Sequence, residues 1–142
     1  MDGSPGPISG AYHAAKYGIA GLAGSLRAEL APSGIRVILI EPGAIKTPIW
    51  ERGIAAGDET LAELPPEGVT RYGRQIEAAR TMAQRSAAGG LPPEHVGRAI
   101  RRALTSPRPR DRQLVGRDAQ VAAFLVRVLP NSLIYRITAA KD

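Results

Sequence analysis

Ile35-Arg36-Val37-Ile38-Leu39-Ile40-Glu41-Pro42-Gly43 decides how this chain folds. The run Ile35 to Ile40 is mostly apolar and β-branched, the pattern of a parallel strand covered on both faces. It predicts a buried strand closing in Glu41-Pro42-Gly43, where proline stops the ladder and glycine permits a sharp exit. Just before it, Pro32-Ser33-Gly34 reads as a turn. Before the turn, Ile19, Leu22, Ala23, Leu26 and Leu30 recur at helical spacing and predict a helix from Tyr12 to Leu30, anchored by one apolar face. Helix, tight turn and buried strand make half of an α/β crossover unit. In open α/β sheets ligands bind outside the carboxyl ends of strands, so the loop from Ala44 to Trp50 is the expected ligand contact.

Tyr12 and Lys16 stand at the start of that helix, and a four-residue spacing places phenol and ammonium side by side. A cation next to a phenol favours the ionised form, which equips such a pair to give and take a proton at neutral pH. Ser9 sits where it can cap the helix. His13, inside the same turn, reads as solvent-facing or loosely hydrogen-bonded.

From Gly10 to Trp50 these residues resemble the short-chain dehydrogenases/reductases. Tyr12 and Lys16 are similar to the family's Tyr-x-x-x-Lys, and Pro42, Gly43 and Thr47 to its strand closing in Pro-Gly with a threonine four residues on. The resemblance implies that Tyr12 protonates a carbonyl oxygen or deprotonates an alcohol while hydride moves to or from the nicotinamide of NAD or NADP. It implies that Lys16 activates Tyr12 and binds the nicotinamide ribose, and that Pro42, Gly43, Ile45 and Thr47 line the nicotinamide and phosphate side of the cofactor. A small alcohol or ketone is then the expected substrate, with Trp50, Ile54 and Leu61 in the segment that covers it. The implied fold is α/β, the C-terminal part of a doubly wound, Rossmann-like parallel sheet with flanking helices.

The family's glycine-rich strand-turn-helix, its catalytic serine and its assisting asparagine have no counterpart in the 11 residues before Tyr12. Asp2-Gly3-Ser4-Pro5-Gly6-Pro7 reads instead as a surface loop. The expectation is one partial α/β domain over residues 1–142, with an open sheet edge covered by homo-oligomerisation or by a complementing N-terminal segment. The alternative is a non-catalytic remnant or interaction module that associates through the Tyr12 to Leu30 helix.

Composition narrows the classes. At 142 residues and 44% hydrophobic content the chain can bury one modest core. Without cysteine it has no disulfide or thiolate ligand, and His13 and His95 are too few and too far apart for a zinc site, so no metal is expected. With no long apolar run and no charged-then-apolar leader, a cytoplasmic location without stable membrane insertion is expected. Charge is uneven: residues 1–70 hold 5 basic and 8 acidic side chains, residues 71–142 hold 14 and 5, giving the chain its +6. Arg98, Arg101, Arg102, Arg108, Arg110, Arg112 and Arg117 raise nucleic acid or an anionic membrane surface as a partner. The absence of any interleaved aromatic makes solvated helix faces the better reading, so no nucleic acid is expected.

The remaining elements follow from periodicity and punctuation. Asp58 to Leu64 predicts a short helix capped by Asp58, and Thr70 to Ala88 a longer one with Ile76, Ala79, Met82 and Ala83 inward, stopped by Gly89-Gly90. Pro92-Pro93-Glu94 opens a helix carrying Val96, Ala99, Ile100, Ala103 and Leu104, and Thr105 to Arg110 is a linker. Gln113 to Gly116 reads as a last short strand, followed by an amphipathic helix from Ala119 to Leu129 with Val121, Phe124, Leu125 and Val128 on one side. Leu133, Ile134, Tyr135 and Ile137 form a final apolar patch expected to cover the core.

Overall fold

The computed structural model describes residues 9–138, so the predicted Asp2 to Pro7 loop lies outside the described residues. Helix α1, Gly10–Leu30, runs into a 3-10 turn at Ala31–Ser33. Gly34 then adopts a φ of 72°, a left-handed conformation that costs glycine nothing. The helix and its stop are where the periodicity and Pro32-Ser33-Gly34 put them. Ser9 is the N-cap residue, but its side chain makes no capping hydrogen bond. Its carbonyl instead accepts from both the backbone N–H and the Nδ1 of His13, each at 2.9 Å.

Strand β1 spans Leu39–Pro42 and pairs in parallel with β2, Arg112–Val115, in the register Leu39↔Arg112 to Pro42↔Val115. The strand expected at Ile35 to Ile40 is thus shorter and displaced toward Pro42. A ladder extends only as far as its partner, and β2 offers four residues, so Ile35 and Arg36 stay exposed ahead of the pairing. Leu39 donates to the Asp111 carbonyl and Gly43 to that of Val115, both at 2.9 Å. Pro42 falls on the opposite alternation, where its missing N–H breaks no rung with β2.

Parallel strands need a crossover. Here it comprises α2 (Ile49–Glu63), α3 (Pro66–Gly89) and α4 (Glu94–Thr105). Helix α2 begins nine residues before the predicted Asp58 cap, directly after Pro48, and absorbs the end of the expected loop. Asp58 is mid-helix, where its carboxylate accepts from Arg80 Nη2 at 2.8 Å and joins α2 to α3. Helix α3 starts at Pro66, the favoured first helical position for proline. After β2 come α5 (Arg117–Val128) and α6 (Asn131–Thr138).

A parallel pair with flanking helices is the α/β architecture expected from the sequence, and α4 packs on both strands while α5 packs on β2. The core is small: among the described residues Ala23, Ala99, Ala103, Ala119 and Ile134 are the buried apolar ones. Ala79 and Met82 on α3, expected inward, are exposed, as are Ile100 and Leu104 of the apolar set on α4 and Val121, Phe124, Leu125 and Val128 of the apolar side of α5. In the last patch only Ile134 is buried. Two four-residue strands offer too little surface to cover every amphipathic face the sequence encodes.

Candidate active site

Tyr12 and Lys16 project from the first turns of α1. The four-residue spacing brings them together as the helix requires: Lys16 Nζ lies over the Tyr12 ring, 5.3 Å from its centroid. The His13 ring meets the Tyr12 ring edge-on, with centroids 5.7 Å apart and planes at 87°. His13 is held by its bond to Ser9, so Tyr12 is flanked by a fixed imidazole and a cation. The phenol is 59% exposed, and its hydroxyl makes no hydrogen bond among the described residues.

The second predicted group, Pro42, Gly43, Ile45 and Thr47, sits at the carboxyl end of β1, braced from several sides. Gly43 N–H is bound by Val115. Ala44 N–H donates to Asp118 Oδ2 at 2.7 Å. Leu91, just after α3, donates to the Ala44 carbonyl and accepts from Lys46 N–H, both at 2.9 Å, forming an isolated parallel bridge with Ile45. Trp50 Nε1 donates to the Ile45 carbonyl at 2.7 Å. Trp50, expected in the pocket-shaping segment, therefore acts as a brace for the loop. These bonds leave the Ile45 N–H and the Thr47 N–H and hydroxyl without partners among the described residues. Helix α2 starts two residues after Thr47, so the positive end of its dipole adjoins those free donors.

The two groups stand on separate elements. No hydrogen bond or ion pair among the described residues links Tyr12 or Lys16 to Pro42, Gly43, Ile45 or Thr47. Among the described residues Arg27 ties α1 to the sheet: its Nε donates to Val37 at 3.1 Å and its Nη2 to Asp111 at 3.0 Å. Fifteen residues separate it from Tyr12, about 22 Å along a helix axis. Beneath the loop, Glu41 pairs with Arg112 on the diagonally neighbouring position of β2. Burial pushes the Glu41 carboxyl up, but the Arg112 hydrogen bond helps to outweigh it and the net shift is downward.

Asp118 is the loop-bracing residue that sequence reading missed. Its signal was faint: an acidic residue in the first turn of α5, two positions after Gly116. In the basic half, Arg98, Arg102 and Arg117 rim a shallow groove of about 440 Å³ beside His95, and all three are exposed. Among the described residues no three His, Asp or Glu side chains converge to hold a metal ion. No helix among them is long and apolar enough to cross a membrane.

A family model described as short chain dehydrogenase matches residues 2–56, the stretch containing Tyr12, Lys16 and the braced loop. Human retinol dehydrogenase 5 is 33% identical over 132 residues, covering 88% of this chain and 41% of that protein. The chain belongs to the short-chain dehydrogenase/reductase family. Among other relatives, human 11-beta-hydroxysteroid dehydrogenase type 2 is 32% identical over 146 residues, covering 96% of the chain and 35% of that protein. The NADPH-dependent 3-dehydrocapnine reductase of Ornithobacterium rhinotracheale is 28% identical over 131 residues, covering 92% and 44%. The chain thus spans less than half the length of these relatives.

Proposed function

We propose that this chain takes part in hydride transfer between NAD or NADP and a small alcohol or carbonyl substrate, with Tyr12 as general acid/base and Lys16 as its activator. The observation that carries the reading is the donor set left over by the braced loop: Ile45 N–H, Thr47 N–H and the Thr47 hydroxyl, beside the α2 N-terminus. Such donors fit the carboxamide and phosphate oxygens of a nicotinamide dinucleotide. Pro42 and Gly43 complete the lining at the strand end, and the Lys16 ammonium supplies a further donor for the nicotinamide ribose.

When bound, the cofactor supplies or accepts the hydride. The chain's own part is to manage charge on the substrate oxygen. As hydride reaches a carbonyl carbon, negative charge builds on oxygen, and the Tyr12 phenol delivers the proton. Lys16, stacked against that ring, stabilises the phenolate left behind. In the reverse direction the phenolate takes the alcohol proton. The reading includes a cytoplasmic setting, and a homo-oligomer or a complementing N-terminal segment that completes the site.

The test is a panel of primary and secondary alcohols incubated with the chain and NAD or NADP, following the absorbance of reduced nicotinamide. Substrate-dependent appearance of reduced cofactor is expected. Its absence for every alcohol, with the corresponding ketones and aldehydes equally inert toward reduced cofactor, contradicts the reading.

A second reading is favoured by the uncovered face of α1. Ile19 and Leu22 are 52% and 58% exposed although they belong to its apolar stripe, which suits an interaction module that associates through this helix.

A further inference from the structure

We propose that Asp118 is a positioning residue for the cofactor loop, acting through Ala44: its carboxylate, seated between Gly43 and Gly116, fixes the peptide next to the free Ile45 N–H. The inference rests on the function proposed above.

Three observations converge on this carboxylate. Asp118 lies in the first turn of α5, where an acid ordinarily serves its own helix, yet the side chain makes no capping hydrogen bond there. Its Oδ2 accepts instead from Ala44 N–H at 2.7 Å, across 74 residues of sequence. A methyl group built on Gly43 would overlap the same carboxylate, and so would one on Gly116, where φ is 113° and a side chain is already disfavoured. The two glycines therefore form the walls of a slot that only the aspartate fills.

The loop's other bonds show why this one matters. Leu91 binds the Ala44 carbonyl and the Lys46 N–H, and Val115 binds the Gly43 N–H, which leaves the Ala44 N–H to Asp118 alone. An oxygen acceptor of this size at this place is what the Ala44 N–H requires. With it in place the Gly43–Ala44 peptide is held, and with it the path of the chain into Ile45.

The experiment compares wild type, Asp118→Ala, Asp118→Asn and Asp118→Glu by NADH and NADPH titration and by amide hydrogen exchange at Ala44. Asparagine keeps an acceptor of the same size, whereas glutamate keeps the charge near the helix terminus but overfills the slot. Positioning predicts cofactor affinity about tenfold weaker in Asp118→Ala and Asp118→Glu, with faster Ala44 exchange in both, and near wild-type behaviour in Asp118→Asn. Wild-type affinity in Asp118→Glu together with weakened binding in Asp118→Asn assigns the charge to the helix and overturns the proposal. Unchanged affinity in every variant overturns it too. If Asp118→Ala does not fold, the Asn and Glu pair decides alone. If wild type binds neither cofactor, the functional reading fails and the cofactor role of Asp118 with it, while Ala44 exchange in the Glu variant still decides whether the carboxylate holds the loop.

Discussion

Arg27 and Asp111 join the helix that carries Tyr12 to the amino end of β2, through a guanidinium-to-carbonyl bond of 3.0 Å backed by an ion pair at 3.7 Å. The same guanidinium holds the Val37 carbonyl ahead of β1. One side chain thus fixes α1 against both strand entrances. Arg27→Ala is expected to destabilise the fold by about 1 to 2 kcal/mol, since two carbonyls lose a charged donor in a partly solvated setting. Arg27→Lys is expected to recover only part of that, because an ammonium cannot reproduce the two-armed geometry. Chemical denaturation of the three proteins measures the difference, and an unchanged midpoint in Arg27→Ala contradicts it.

Tyr12→Phe is expected to lower turnover at least about a hundredfold, the lower range for losing a general acid. Its effect on unfolding should stay within about 0.5 kcal/mol, because the phenol is exposed. Steady-state rates paired with thermal melts separate the two effects. A variant that keeps its rate removes Tyr12 from the chemistry, and one that unfolds makes it structural.

Glu41 links pH to stability. Its folded-state carboxyl lies below the ordinary 4.5, so the native state holds the deprotonated form more tightly than the unfolded chain does. The resulting stabilisation is complete above the ordinary value and is lost as pH falls through the lowered one. Glu41→Gln should therefore lose less stability than wild type between neutral pH and about pH 3, as read from urea midpoints. Equal losses in the two proteins contradict the assignment.

Ile19→Ser combined with Leu22→Ser should reduce self-association if the exposed face of α1 meets a second copy. Light scattering gives the answer as a mass. A wild type already monomeric at high concentration, or a double variant with unchanged mass, excludes that interface.

Local signals were legible. The apolar recurrence from Ile19 to Leu30 and the Pro32-Ser33-Gly34 stop place α1 and its turn almost to the residue, and the last strand differs by one position. The Tyr12 and Lys16 contact follows from helix geometry alone. What misled was whatever depends on a distant partner. The apolar run Ile35 to Ile40 cannot say where pairing begins, because Arg112 to Val115 determine it. Asp58 looked like a cap, but its carboxylate serves Arg80 on the next helix. Asp118 gave only a faint signal because nothing local ties it to Ala44, and the two glycines that seat it are individually ordinary turn residues. The uncovered faces of α3, α4 and α5 were unreadable for the same reason, since periodicity shows which face is apolar but not whether a neighbour covers it.

Tyr12, Lys16 and the Gly43 to Thr47 loop are proposed to serve one nicotinamide site, although no bond among the described residues joins them directly. Amide chemical shifts followed during NADH and NADPH titration test this most directly. The account predicts saturable changes at Ile45 and Thr47 and, with the same affinity, at Tyr12 to Lys16. A folded chain that binds neither cofactor, or one that saturates with only one of the two groups responding, contradicts it.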